Sequence, residues 1–355
     1  MPTLFDSLKL GDLTLRNRIL MSPLTRSRAS AGRVPNAMMA EYYEQRASAG
    51  LIFSEATSVT PMGVGYPDTP GIWSPEQIEG WKLVTTAVHD AGSKMLLQLW
   101  HVGRISHPSF LDGALPVAPS AIAAKGQLML EGGKMADYPV PRALELSEIP
   151  GIIEGYRKGA QNAQEAGFDA VEIHGANGYL LDQFLQDGSN KRTDEYGGSI
   201  ENRARLMLEV TDAVISVWGA GRVGMHLAPR CDAQSMGDSD PLATFSYVAR
   251  ELGKRKIAFI CAREHLGKDS IGPQLKKAFG GMYFVNEGFT RETAEQALAS
   301  GIADAVVFGR LFIANPDLPE RFRLNAPLNT PHPQTFYGQG PKGYTDYPYL
   351  KTQAA

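Results

Sequence analysis

The chain has 355 residues, 43% of them hydrophobic and 21% charged, with a formal net charge of −3 at pH 7. That balance fits a globular enzyme with a large core and excludes a basic nucleic-acid-binding face. Two cysteines, Cys231 and Cys261, allow no disulfide framework and no CxxC metal site. With neither a signal-peptide pattern nor an apolar run of about 18 residues, a cytoplasmic protein with no membrane partner is expected.

Residues 4–18 alternate around Gly11-Asp12 and predict a short hairpin ahead of the main fold. Arg18 to Pro23 reads as a buried strand, residues 36–49 as a helix and Leu51 to Glu55 as the next strand. Ser74-Pro75-Glu76-Gln77 combines an N-cap, a first-turn proline and a capping-box glutamine, so a helix starts there and ends at Gly92. Lys94 to Trp100 is a third strand. From His101 to about Arg142 periodicity gives way to Pro, Gly, Ser and Ala, which predicts an inserted capping segment. A helix from Ser147 to Ala166 leads into the strand that ends at His174. A polar loop over 184–199 precedes a helix capped by Ser199 and running to about Trp218. Arg222 to Ala228, Ile257 to Cys261, Gly281 to Val285 and Ala303 to Phe308 read as the remaining strands. Helices are expected over 241–253 and from Thr290 to Gly301, and the tail from about 325 is rich in Pro, Gly and Tyr.

Eight buried strands alternating with helices predict an α/β fold, a (β/α)₈ TIM barrel formed as one domain by residues 1–355. The competing open, doubly wound sheet lacks a G-x-G-x-x-G turn after any early strand.

The stretch Val171-Glu172-Ile173-His174-Gly175-Ala176-Asn177-Gly178-Tyr179 is the chemical centre of the sequence. An apolar strand ends in a glycine-loosened turn that delivers His, Asn and Tyr within six residues. A single His at a strand end is more often structural, and Asn and Gly are ordinary turn formers; the combination is not ordinary. Phosphates often bind after strands seven and eight of such barrels. Those loops hold Gly288, Phe289 and Thr290, then Gly309 and Arg310, although two plain glycine turns and a surface arginine would read the same way.

These motifs, with Ser22-Pro23-Leu24-Thr25-Arg26, Gln98-Leu99-Trp100, Asp194 to Arg203, Phe308-Gly309-Arg310 and Gly343 to Pro348, resemble the Old Yellow Enzyme family nearly end to end. The resemblance implies non-covalent FMN, reduction by NADPH or NADH, and transfer of hydride to activated C=C bonds. Enones, maleimides and nitroalkenes are the implied partners, with nitroesters, nitroaromatics or quinones as an alternative for the same site. A catalytically silent flavin- or phosphate-binding barrel is the alternative of a different class. A monomer or weak homodimer is expected.

By the same resemblance, Pro23, Leu24, Thr25 and Ala56 lie against the flavin ring, and Gln98 bonds its pyrimidine edge. Gly288, Phe289, Gly309 and Arg310 hold the phosphate, while Tyr66, Trp100 and Tyr344 wall the substrate pocket. One position departs from the pattern. Most relatives carry Arg in the fifth strand where this chain has His226. His226 as an imidazolium would face the reduced flavin's negative edge, Arg230 or Arg263 would reach it instead, or His226 is a neutral hydrogen-bonded residue.

The chemistry needs a hydride donor, an electron-withdrawing anchor and a proton source. No side chain donates hydride, so FMN supplies it. His174 and Asn177, three apart, are expected to donate to one carbonyl or nitro oxygen, and losing either would cost ~3 kcal/mol of barrier. Tyr179 is expected to protonate the α-carbon, its alternative being a simple pocket-wall aromatic.

Overall fold

The computed structural model describes residues 1–231, 233–265 and 267–350. Among these, eight parallel strands close into a ring: β1 (Ile19–Met21), β2 (Ile52–Phe53), β3 (Met95–Trp100), β4 (Ala170–His174), β5 (Val223–Leu227), β6 (Phe259–Arg263), β7 (Met282–Asn286) and β8 (Ala305–Phe308). Closure is visible in the register: Val306 of β8 pairs with Ile19 of β1, and Leu97 of β3 with Val171 of β4. β2 resumes as Thr57–Ser58, still paired with β3, after a break that carries Glu55 and Ala56.

All six residues of β3 and all five of β4 are buried, because helices cover the outside and side chains fill the inside. The helices are α1 (Ala37–Glu44), α2 (Pro75–Asp90), α3 (Ile149–Glu165), α4 (Ile200–Trp218), α5 (Pro241–Lys254), α6 (Gly272–Phe279) and α7 (Arg291–Ala299). Local signals start several of them: the Ser74–Gln77 capping box forms, and Asn36, Ser199, Asp240 and Thr290 each accept a backbone N–H as N-caps.

Inside the barrel, Phe53, Leu96, Phe259 and Phe284 pack with Leu20, Ala305 and Val307. The Phe259 and Phe284 rings stack 4.7 Å apart. Gly224 on β5 makes room for them, since a Cβ there would meet the Phe259 ring at 2.1 Å. The hairpin Leu8–Leu10/Leu13–Leu15 turns its four leucines into this same cluster and closes the N-terminal end. Access to the interior is therefore from the carboxyl ends of the strands, where β4 ends in His174. No helix among the described residues is long and apolar enough to cross a membrane.

The inserted segment after β3 carries a small hairpin, Gln127–Met129 with Met135–Asp137, and a parallel pairing of Val117–Ala118 with Arg142–Ala143. Its Ala124 and Tyr138 pack with Trp100, Tyr66 and Tyr179 beside the mouth. Arg104 ties it down, donating to the carbonyls of Ile122 and Gln234 at 3.0 Å each.

The structure differs from expectation in four places. Helix α6 lies between β6 and β7, where none was expected: Gly272-Pro273 at its start and Gly280 at its end mask an eight-residue helix. Leu180–Leu185 is a buried one-and-a-half-turn helix directly after Tyr179. Arg310–Ala314 and Leu318–Leu324 are helical before the tail. The sixth strand runs over Phe259–Arg263 rather than Ile257 to Cys261, which carries Arg263 to the mouth.

Candidate active site

The turn after β4 is built by close approach. A Cβ on Gly175 would press Met225 and Met207 at 2.8 and 2.9 Å, and one on Gly178 would meet Gln234 at 2.7 Å. Asn177 itself sits at φ +58°, a left-handed conformation that asparagine tolerates better than most residues. The helix behind clamps the turn. Asp182 accepts from the Gly178 N–H at 2.8 Å, and Gln183 donates to the Gly178 carbonyl at 2.7 Å and to the Val102 carbonyl at 3.0 Å. Burial pushes the Asp182 carboxyl up to about 7. Asp182 and Gln183 lie just beyond the Val171 to Tyr179 stretch, and their role becomes visible only with the turn in three dimensions.

A cavity of about 1160 Å³ opens at the mouth, and His174, Asn177 and Tyr179 all line it. His174 Nδ1 accepts from the Ala176 backbone N–H at 3.3 Å, which leaves the proton on Nε2 as a donor. Burial holds the imidazole well below its ordinary range, reinforced by His226 and Arg263, so His174 is neutral. Tyr179 stands edge-on to His174 at 4.9 Å and to Trp100 at 5.0 Å. Burial raises its phenol well above the usual range, offset in part by the hydrogen bond with Tyr66, so it keeps its proton.

The cavity also gathers Pro23, Leu24, Thr25, Ala56, Gln98, Trp100, His226, Gly288, Phe289, Gly309 and Arg310. On its β3–β5 side, Gln98 Nε2 donates to Glu172 Oε2 at 2.7 Å and faces His226 Nδ1 at 3.3 Å. Gln98 Oε1 accepts no hydrogen bond among the described residues, and His226 Nε2 is a buried atom without a partner. His226 stacks on His174 with ring centroids 5.5 Å apart. Glu172, His226 and Cys261 bring ligand-type atoms within 4.8 Å of one another, but burial raises the Cys261 thiol well above its ordinary range and keeps it protonated.

On the β7–β8 side, Asn286 Nδ2 donates to the Val307 carbonyl at 2.6 Å and pins the two strand ends together. Gly288 has φ +76°, and the Arg310 side chain is exposed with no hydrogen bond or salt bridge among the described residues. An acceptor and a buried, unpartnered ring nitrogen at one end, with glycine backbone and an unpaired arginine at the other, match the two polar ends of a flavin mononucleotide. Apolar Leu24, Ala56 and Phe289 lie along the cavity that joins them.

Two expected pocket walls are placed differently. Tyr344 is fully buried outside the cavity, its ring stacked 4.0 Å from Tyr42 and under the Arg28 guanidinium at 4.4 Å. Long-range bonds set this: Arg26 donates to the Gly343 carbonyl at 2.7 Å, and Arg28 to the carbonyls of Thr335, Gly340 and Lys342 at 3.0 to 3.1 Å. The tail aromatics that do line the cavity are Phe336 and Tyr337. Tyr66 is not a lining residue either; it stacks behind Trp100 at 5.6 Å and reaches the cavity through Tyr179, hydroxyl to hydroxyl at 3.0 Å.

The two arginines are placed differently. Arg230 is turned away from the cavity, donating to Glu264 Oε1 and the His265 carbonyl at 2.7 Å each and pairing with Asp269. Arg263 lines the cavity, donating to Glu287 Oε2 at 2.5 Å and to Asn177 Oδ1 at 3.0 Å.

A closed barrel with such a mouth is the architecture of a flavin-dependent oxidoreductase. The chain belongs to the NADH:flavin oxidoreductase / NADH oxidase family, whose model matches residues 3–329 and which includes the Old Yellow Enzymes. Among similar proteins, 12-oxophytodienoate reductase 1 of Oryza sativa subsp. japonica is 46% identical over 97% of this chain and 92% of its own length. The 12-oxophytodienoate reductase 2 of Arabidopsis thaliana is 44% identical, covering 98% of this chain and 95% of its own. Morphinone reductase solved in complex with tetrahydroNAD superposes with a TM-score of 0.95 at 50% identity, covering 99% of this chain and 98% of that one. The Old Yellow Enzyme homologue from Zymomonas mobilis gives a TM-score of 0.96 at 48% identity, covering 98% and 100%. The protein is an FMN-dependent oxidoreductase that uses NAD(P)H to reduce activated C=C bonds.

Proposed function

We propose that this enzyme reduces enones, maleimides and nitroalkenes, with His174 and Asn177 anchoring the electron-withdrawing oxygen and Tyr179 supplying the proton. The observation that carries this reading is the convergence of His174, Asn177 and Tyr179, in fixed proton states for the first and last, on one cavity. FMN, when bound, supplies the hydride. Gln98 and His226 would hold its pyrimidine edge, Pro23, Leu24, Thr25 and Ala56 its ring, and Gly288, Phe289, Gly309 and Arg310 its phosphate.

His174 Nε2–H and the Asn177 carboxamide donate to the substrate oxygen and draw electron density from the β-carbon. Neutral donors placed where charge develops stabilise an enolate without being neutralised by it. Tyr179 holds its proton through the approach of substrate and releases it to the α-carbon, with Tyr66 ready to share the developing phenolate charge. Trp100, packed against His174 and Tyr179, limits water in that corner. A cytoplasmic location belongs to the same reading, and so does action of residues 1–355 as one unit, which the single ring of strands and the shared core support.

The test is a visible spectrum of the purified protein followed by anaerobic NADPH titration. The reading predicts a yellow protein that bleaches with NADPH and regains colour on addition of 2-cyclohexenone, N-methylmaleimide or a nitroalkene. A flavin that bleaches and is reoxidised by oxygen but by none of these alkenes would contradict it.

A further inference from the structure

Asn177 does not stand alone at the mouth. Its side chain reaches β6, where Arg263 Nη1 donates to Asn177 Oδ1 at 3.0 Å. Arg263 is held in turn from β7, by Glu287 Oε2 on Nε at 2.5 Å. All three residues line the cavity. A guanidinium has donors only, so the end of the carboxamide facing it has to be the oxygen. Asn177 Nδ2 makes no hydrogen bond among the described residues and is the end left for a ligand.

We infer that Arg263 is a positioning residue that locks the Asn177 carboxamide as a one-way donor and so selects ligands presenting a bare acceptor oxygen. An unrestrained asparagine presents oxygen or nitrogen to a ligand with similar ease, because the two ends of the amide have the same shape. Fixing the flip from behind removes the wrong half of that population and the ordering cost of choosing on binding. The lock is carried by strand-end residues rather than a loose surface pair: Arg263 ends β6, paired in register with Asn286, and Glu287 follows directly in the chain. The same guanidinium bears on His174 and Tyr179 electrostatically, so it sits among the three groups that meet the substrate.

The inference rests on Asn177 being the oxygen anchor, and a double-mutant cycle separates the two ideas. Cyclohexanone, which has the acceptor oxygen but no reducible C=C, is titrated into the FMN-loaded protein and followed by the flavin absorbance. KM and kcat for 2-cyclohexenone are measured alongside. Arg263→Met is expected to weaken cyclohexanone binding about tenfold and to raise KM more than it lowers kcat. In the Asn177→Ala background the same change is expected to have less than a twofold effect. Arg263→Gln, which keeps an N–H donor without the charge, is expected to bind the ketone within threefold of wild type, and it carries the test if the Met variant loses FMN. Binding by Arg263→Met within twofold of wild type, or a tenfold loss that persists in the Asn177→Ala background, would overturn the lock. So would Arg263→Gln binding as weakly as Asn177→Ala. If Asn177→Ala itself binds cyclohexanone normally, the anchor assignment fails, and the lock fails with it.

Discussion

The hydroxyls of Tyr66 and Tyr179 meet at 3.0 Å, joining the phenol at the substrate face to a second phenol stacked behind Trp100. Gln234 Nε2 reaches Tyr66 at 3.4 Å, and Tyr138 donates to Gln234 Oε1 at 3.2 Å. A hydrogen-bonded path thus runs from Tyr179 into the inserted segment.

That path predicts separable effects on the proton step. Tyr179→Phe should slow reoxidation of the reduced flavin by a slowly protonated alkene by about 10² or more, the range of a lost general acid. Tyr66→Phe should slow it only a few-fold, since Tyr179 keeps its own proton. Flavin reduction by NADPH should be unchanged in both variants. Stopped-flow absorbance of the two half-reactions, in H₂O and D₂O, checks the assignment.

His226 lines the cavity with Nε2 buried and, among the described residues, unpartnered, and with Nδ1 facing Gln98 and Glu172. Removing it should cost the hydrogen bond that FMN would receive there, about 1–3 kcal/mol. His226→Ala should therefore release FMN roughly ten times more readily and slow reduction by NADPH. Fluorescence of FMN freed on dilution, with a rapid-mixing reduction rate, measures both.

Glu55 closes the break in β2, one residue before Ala56 in the cavity wall, and accepts from the Arg26 and Ser27 N–H groups at 3.1 and 3.4 Å. Burial nevertheless pushes its carboxyl up to about 7 from an ordinary 4.5. A raised carboxyl means the folded protein binds more protons than the unfolded chain between those two values. Its contribution to stability is full below about 4.5 and falls as pH rises toward 7, by on the order of 3 kcal/mol at most. Glu55→Gln should remove that slope. Urea unfolding of both proteins at pH 5 and pH 7.5 should show the difference between them growing with pH in favour of the variant.

Gly224 is paired in register with Phe259 on the neighbouring strand, and a methyl there would lie 2.1 Å from the ring. Gly224→Ala should destabilise the fold by about 1–3 kcal/mol, the usual range for overpacking a filled core. Phe259→Leu in the same chain should recover part of the loss. Thermal or chemical melts of the single and double variants test this.

Much of this molecule was legible in its sequence because burial left a clear mark. Strands covered on both faces read as near-continuous apolar runs, as Met95–Trp100 does with Gln98 its one polar residue, and capping boxes such as Ser74–Gln77 announce helix starts. His174, Asn177 and Tyr179 were legible because polar side chains at the end of a buried strand have few reasons to be there. What was not legible depended on partners distant in sequence. Tyr344 was expected to wall the pocket, and Phe336 and Tyr337 line it instead, because only the Arg26 and Arg28 bonds to the tail carbonyls decide which aromatic turns in. Helix α6 is short and starts with Gly-Pro, so neither length nor periodicity stood out. Arg263 was visible only as one of two arginines that could reach the flavin; its bond to Asn177 joins residues 86 apart in the chain and leaves no local mark.

Alkene reduction in this site depends on neutral donors at the strand end anchoring the substrate oxygen. Rapid mixing of NADPH-reduced, FMN-loaded His174→Ala with 2-cyclohexenone tests this most directly. The expected result is normal FMN retention with reoxidation about 10²-fold slower or worse than wild type. Reoxidation within a few-fold of wild type would contradict the central claim.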